Sequence, residues 1–233
     1  MRLGLALSTV SVSAFAFVAA CLPDPKGEYE DYLERTSGMT GSSSTVADAS
    51  IDTKPPETAV EALYVGICVT ALAARDPSQA LRFYTETKFT PDPSGGGKIT
   101  MAVTPMLGWD KNVPPSGEYT QPKSVSKSET RGATINVADV PVAAGQGRFT
   151  ANLGTVNLNG EANSVSGRDA VIEGTVLDGR FGGGDRFCTT LGGDLTVPYS
   201  FKFDPAQNTC IFVKAKEGDP LPTIASEEFV CPL

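Results

Sequence analysis

Residues 81–89 read LRFYTETKF, and the alternation in that short stretch decides the fold class. Leu81, Phe83, Thr85, Thr87 and Phe89 fall on one side of an extended chain, because successive side chains of a β-strand point to opposite faces. Beyond the Gly95-Gly96-Gly97 turn, Ile99, Met101 and Val103 resume the two-residue period, so a hairpin is the economical arrangement.

The same signal recurs outward along the chain. Upstream, Leu63 to Leu72 is a nearly continuous apolar run holding Cys68, which fits a buried strand but also a buried helix. Downstream, Ile135 to Val140, then Phe149, Ala151 and Leu153, then Val156 and Leu158 read as strands, with Gly154 as a bulge or bend. Val171 to Leu177 and Arg180 to Cys188 form a further candidate pair. Leu195, Val197, Tyr199, Phe201 and Phe203 make the cleanest alternation of all, and Cys210 to Lys214 supplies the last strand. About nine short strands separated by Gly, Pro, Asn and Asp turns predict an all-β domain, an antiparallel sandwich or barrel, over residues 59–233.

The residues before it are of another kind. Glu28 to Arg35 can make two helical turns with Tyr29 and Leu33 on one face, although so short a helix is marginal alone. Residues 36–58 are rich in Ser and Thr and end near Pro55-Pro56, the composition of a linker too polar to bury a core. Treated as flexible, Cys21 to Glu57 spans about 33 Å. The first twenty residues have a positive start at Arg2 and an apolar run from Leu3 to Val18, the pattern of a targeting segment that is no part of the fold.

That run ends in Val18-Ala19-Ala20-Cys21, which resembles the lipobox of bacterial lipoproteins. The resemblance implies cleavage before Cys21, acylation of its thiol, and a mature chain held on the membrane by its lipid. Two or three acyl chains anchor far more firmly than one, since each buried methylene contributes about 0.8 kcal/mol. By the sorting pattern of enteric-type lipoproteins, Leu22 rather than Asp after the cysteine implies the outer membrane. Beyond Cys21 the chain looks like uncharacterised lipoproteins in which a Ser/Thr linker precedes a Cys-bearing β domain, a resemblance that implies no activity.

Without Arg2 the chain carries 18 Lys and Arg against 27 Asp and Glu, a formal net charge of −9, which makes nucleic acid an unsuitable partner. Cys68, Cys188, Cys210 and Cys231 remain after lipidation, and an even count in an exported chain reads as two disulfides. The connectivity stays open. A preference goes to Cys210 with Cys231 and Cys68 with Cys188, because the shorter closure is easier to form and a C-terminal tail otherwise frays.

The chain contains no histidine, which removes Ser-His-Asp and Cys-His catalysis and every His-based zinc site. Gly95-Gly96-Gly97-Lys98 lacks the Ser or Thr and the spacing of a phosphate loop, so it reads as a turn. Carboxylates are the remaining catalytic material. Glu161 and Glu173, with Asp169 nearby, are the candidate pair for a carbohydrate-active hydrolase. Asp178, Asp185 and Asp194 sit near Gly-rich turns where Ca²⁺ could bind, although ordinary turn chemistry accounts for them without a metal. Trp109 and Tyr119 lie in the Pro/Gly-rich segment 105–122 and are the candidate ligand-binding aromatics, unless Trp109 folds back onto the sheet edge. The leading expectation is a non-catalytic, envelope-anchored binding or structural module without a cofactor, facing an envelope protein or polysaccharide.

Overall fold

The computed structural model describes residues 54–112 and 117–232. Cys21, the segment 28–35 and the linker up to residue 53 lie outside the described residues. The strands are β1 (Val60–Val69), β2 (Leu81–Pro91), β3 (Gly97–Pro105), β4 (Trp109–Asp110), β5 (Glu118–Tyr119), β6 (Ile135–Val142), β7 (Arg148–Leu158), β8 (Ala170–Arg180), β9 (Arg186–Val197), β10 (Phe201–Phe203) and β11 (Thr209–Ala215). β4 and β5 form a separate two-stranded ribbon. The other nine make one antiparallel sheet in the order β6-β3-β2-β1-β11-β9-β8-β7, with β10 also on β9.

Of the two architectures expected, the one formed is a sheet curling almost into a closed barrel. β10 and β11 pair with successive stretches of β9, at 193–195 and 186–190, so they act as one interrupted stave. The sheet's two edge strands, β6 and β7, follow each other in the chain and meet at a tight turn, where the Ala143 N–H donates to the Arg148 carbonyl. β7 bulges at Gly154, where φ is +66° and the Asn152 side chain accepts the Gly154 N–H, in keeping with an isolated glycine in an alternating run.

The antiparallel meander sorts its connections onto two ends. At the hairpin end lie the turns 92–96, 143–147 and 181–185; at the loop end lie 70–80, 106–134, 159–169 and 198–200, while 204–208 interrupts the β10–β11 stave beside β9. Leu81, Thr85, Thr87 and Phe89 all point into the barrel and are buried, as the period-two pattern required, with Phe83 half-buried beside them. Inside the hairpin end, Phe187 stacks on Phe212 with ring centroids 4.4 Å apart and planes 2° from parallel. Phe187 also meets Tyr64, Phe181 and Phe149 edge-on at 4.9, 5.4 and 6.2 Å. Gly66 makes this stack possible, since a Cβ there would lie 2.7 Å from the Phe212 ring. The Tyr64 hydroxyl donates to the Gly184 carbonyl at 3.0 Å, and burial, with Asp185 nearby, pushes its pKa up to about 12.

A second apolar layer covers the outside of β1 and β11. Val65, Ile67, Val69 and Ile211 pack there against Met106 and Val125 of the long loop and Ile224 and Phe229 of the C-terminal tail. Ions latch the tail: Glu228 pairs with Arg186, and Glu217 accepts from Tyr84 at 2.9 Å, Ser126 at 2.7 Å and the Lys127 N–H at 3.1 Å. This double-sided burial explains why 63–72 read as continuously apolar.

Three expectations need correction. The disulfides are Cys68–Cys210 and Cys188–Cys231, not the preferred pairing. Cys68 and Cys210 face each other in register on β1 and β11 and point into the barrel, whereas Cys188 points outward to the tail. Next, the cleanest alternation is not one strand: β9 ends at Val197, a cis Val197–Pro198 bond comes next, and β10 runs back alongside β9. Pro198 cannot donate to a ladder, and its punctuation outweighs the periodicity around it. Lastly, β8 continues to Arg180 and β9 starts at Arg186, so the turn of that pair falls in the glycines 182–184. Packing also begins before residue 59, with Pro55 buried and Pro56 against Gly183.

Candidate functional site

The loop end of the barrel is built differently from the hairpin end. Leu81, Leu158, Ala170, Ile172 and Leu195 bring aliphatic side chains to the interior, with Phe203 the aromatic among them. The loops of 70–80, 159–169 and 198–200 border a small cavity of about 20 Å³ above them. Thr70 and Leu72 enter it from the first loop, Asn163, Val165 and Ser166 from the second, and Pro198 and Tyr199 from the third. A second void of about 20 Å³ lies deeper, among Phe83, Val103, Ile135, Leu153 and Val156, and its lining surface is wholly apolar. Leu81 and Ile172 form the wall that the two share.

The polar groups of this mouth are sorted. Asn163 is fully engaged: its side-chain amide donates to Ser166 Oγ at 2.9 Å and the Arg168 carbonyl at 2.7 Å, and its side-chain oxygen accepts the Val165 N–H at 3.1 Å. Ser164 donates towards the carbonyls of Gln79 and Ala80, tying the second loop to the first. Thr70 is 2% exposed and its hydroxyl has no partner. Thr85, Thr87 and Thr189 also have unpartnered buried hydroxyls, on the inward faces of β2 and β9. At the rim, Tyr199 and Val197 are two of the three large apolar residues exposed among the described residues.

The aromatics anticipated as ligand contacts are brought together, and they hold loops in place. Trp109 and Tyr119 are direct partners across the β4–β5 ribbon. The indole lies against Gly167 and Gly117, where an added Cβ would come within 2.4 and 2.3 Å of it, so Trp109 folds back onto the loop that lines the mouth. The Tyr119 hydroxyl accepts from Arg82 at 2.8 Å, and Arg82 is buried, donating also to the carbonyls of Ala80 and Pro77.

The carboxylates do not gather. Glu161 is paired with Lys111 at 3.0 Å and Arg131 at 3.1 Å, and its backbone carbonyl accepts the N–H groups of Gly108 and Trp109. Glu173 is exposed on β8, opposite Asp194 of β9. Asp169 accepts the Gly160 N–H and Asp178 accepts from Thr150, while Asp185 sits in the β8–β9 turn. Among the described residues no three His, Cys, Asp or Glu side chains form a metal-holding group. Gly95-Gly96-Gly97-Lys98 closes the β2–β3 turn.

Sequence patterning did not single out Thr70, Leu72 or Asn163, and it placed Tyr199 inside a strand. Val197-Pro198 was the available signal, since a proline ends pairing and frees the next residues from the ladder. Comparison with family models, with curated proteins and with solved structures finds no match.

Proposed function

We propose that this chain is a lipoprotein anchored through Cys21 in the cell envelope, at the outer membrane by the Leu22 pattern, and that its barrel is a non-catalytic binding module open at the loop end. The observation that supports the binding function is the asymmetry of the interior, which is filled by clustered rings at one end and bordered by long loops with exposed Val197 and Tyr199 at the other. An eight-stave barrel has an interior just wide enough to be filled by side chains or to hold one small ligand. Two disulfides support an oxidising compartment, in keeping with the lipobox. An envelope protein or polysaccharide remains a partner for the outer surface. The hydrolase alternative gains no support, because Glu161 is ion-paired and Glu173 faces outward on β8.

The anchoring is tested by membrane fractionation and mass spectrometry. Globomycin treatment or Cys21→Ala should release the protein from the membrane fraction and remove the diacylglycerol mass. Unchanged membrane retention in both would defeat it.

A further inference from the structure

We propose that Cys188–Cys231 is a site of thiol–disulfide exchange, opened by a dithiol while the barrel stays folded, and that its reduction frees the tail 220–232 from the apolar strip on β1 and β11. The inference goes beyond the binding function and stands whatever the barrel binds. The two disulfides are placed unlike each other. Cys68 and Cys210 are 1% and 0% exposed, point into the barrel, and sit on strands that are paired on both sides. No thiol reaches them unless β1 and β11 part. Cys231 lies half-buried on the outer surface, and Val230 before it is 64% exposed. Cys188 beneath it is fully buried, so an incoming thiol meets this bond at Cys231.

Apart from that bond, the tail is held without a ladder. Among the described residues, the backbone of 220–232 hydrogen-bonds to other backbone only within its own turn at 225–230. Side chains supply its other attachments: Leu221, Ile224 and Phe229 pack in the outer layer, Arg75 donates to the Phe229 carbonyl at 2.7 Å, and Arg186 pairs with Glu228. Such a segment opens locally at a lower free energy than central strands do, which brings Cys231 to solvent ahead of Cys68 or Cys210.

Charge favours the same bond. Arg180 faces Cys188 directly across the β8–β9 ladder, on the same outer face, and its buried Nε has no hydrogen-bond partner. A neighbouring guanidinium stabilises a thiolate, and a better-stabilised thiolate leaves faster in exchange. One thiolate of the dithiol attacks Cys231 Sγ, the Cys188–Cys231 bond breaks, and Cys188 leaves as a thiolate beside Arg180. The dithiol's second thiolate then attacks its own sulfur in the mixed disulfide and frees Cys231. The dithiol ends as a disulfide, and its two protons pass to Cys188 and Cys231. With the tail lifted, Val65, Ile67 and Ile211 lose the cover of Ile224 and Phe229.

The complete chain from residue 21 carries Cys21→Ser, so that only the four bridged cysteines remain. It is treated with dithiothreitol without denaturant, quenched with iodoacetamide at intervals and mapped by peptide mass spectrometry. Cys188 and Cys231 should be alkylated about a hundredfold sooner than Cys68 and Cys210. In the half-reduced protein, amide hydrogen exchange over 220–231 should rise by about tenfold or more while β1 and β11 keep their protection, and anilinonaphthalene sulfonate should become fluorescent. Arg180→Gln should slow the opening about threefold, and Arg180→Lys should restore it. The proposal is overturned by all four cysteines becoming reactive together, by Cys68 and Cys210 reacting first, by a tail whose exchange and dye binding are unchanged on reduction, or by Arg180→Gln opening as fast as the parent. The parent's alkylation order and tail exchange need no variant, so they decide the matter even where a substitution disturbs the fold.

Discussion

The two ends of the barrel are made from the same eight staves, yet they solve the filling problem in opposite ways. At the hairpin end, three short turns bring Tyr64, Phe89, Phe149, Phe181, Phe187 and Phe212 into one connected cluster, and large rings fill the lumen. At the loop end, mostly aliphatic side chains and Phe203 border one small void beneath long loops, and a second lies deeper, reaching Phe212 of the aromatic cluster. Each void is no larger than a single water, so the ends differ in the kind of side chain that fills them more than in how fully they are filled.

Deep truncations at the two ends should differ in cost if this contrast is right. Phe187→Ala removes a ring that touches four others and should cost about 4 kcal/mol, whereas Ile172→Ala, beside existing voids, should cost about 2 kcal/mol. Urea denaturation of the two variants gives the comparison, and equal costs would mean that the loop end is packed as well as the hairpin end.

Gly66→Ala probes the aromatic end alone. The new methyl would press on Phe212, which is held by its stack on Phe187, and overpacking of this kind costs about 1–3 kcal/mol. A calorimetric Tm unchanged from the parent would show that the stack can shift at no expense.

The smallest effect concerns the outer layer, which neither end controls. Glu228, paired with Arg186, and Glu217, bonded by Ser126 and Tyr84, both have carboxyls held below their ordinary pKa of 4.5. The unfolded chain therefore takes up protons first on acidification. Their contribution is complete above about pH 4.5 and is lost as pH falls through the lower folded values. Glu228→Gln should flatten the fall of Tm between pH 5 and about pH 3, and an unchanged slope would show that this latch adds nothing to stability.

Much of the barrel was legible in local alternation. Residues 81–89, 99–103 and 149–158 announce their inward faces because the pleat forces a two-residue period, and Gly154 announces its bulge. Pro198 defeated the same logic at 195–203, where perfect alternation spans a reversal of the chain. Tertiary pairing was not legible. The partners of Cys68 and Cys188 depend on which strands become neighbours, and closure entropy favoured a shorter link than the sheet allows. The mouth was hidden for a related reason, since Thr70, Asn163 and Tyr199 carry no common motif and meet only because three connections share one end.

The order of the cysteines along the chain sets a condition on how the molecule matures. The bonds Cys68–Cys210 and Cys188–Cys231 interleave, so neither joins consecutive cysteines. A polypeptide threaded N-terminus first into an oxidising space presents Cys68 and Cys188 together before either native partner has emerged. Oxidation at that moment would trap a non-native link, and correct assembly then depends on β-sheet formation outrunning the oxidant or on an isomerase that undoes the early mistake.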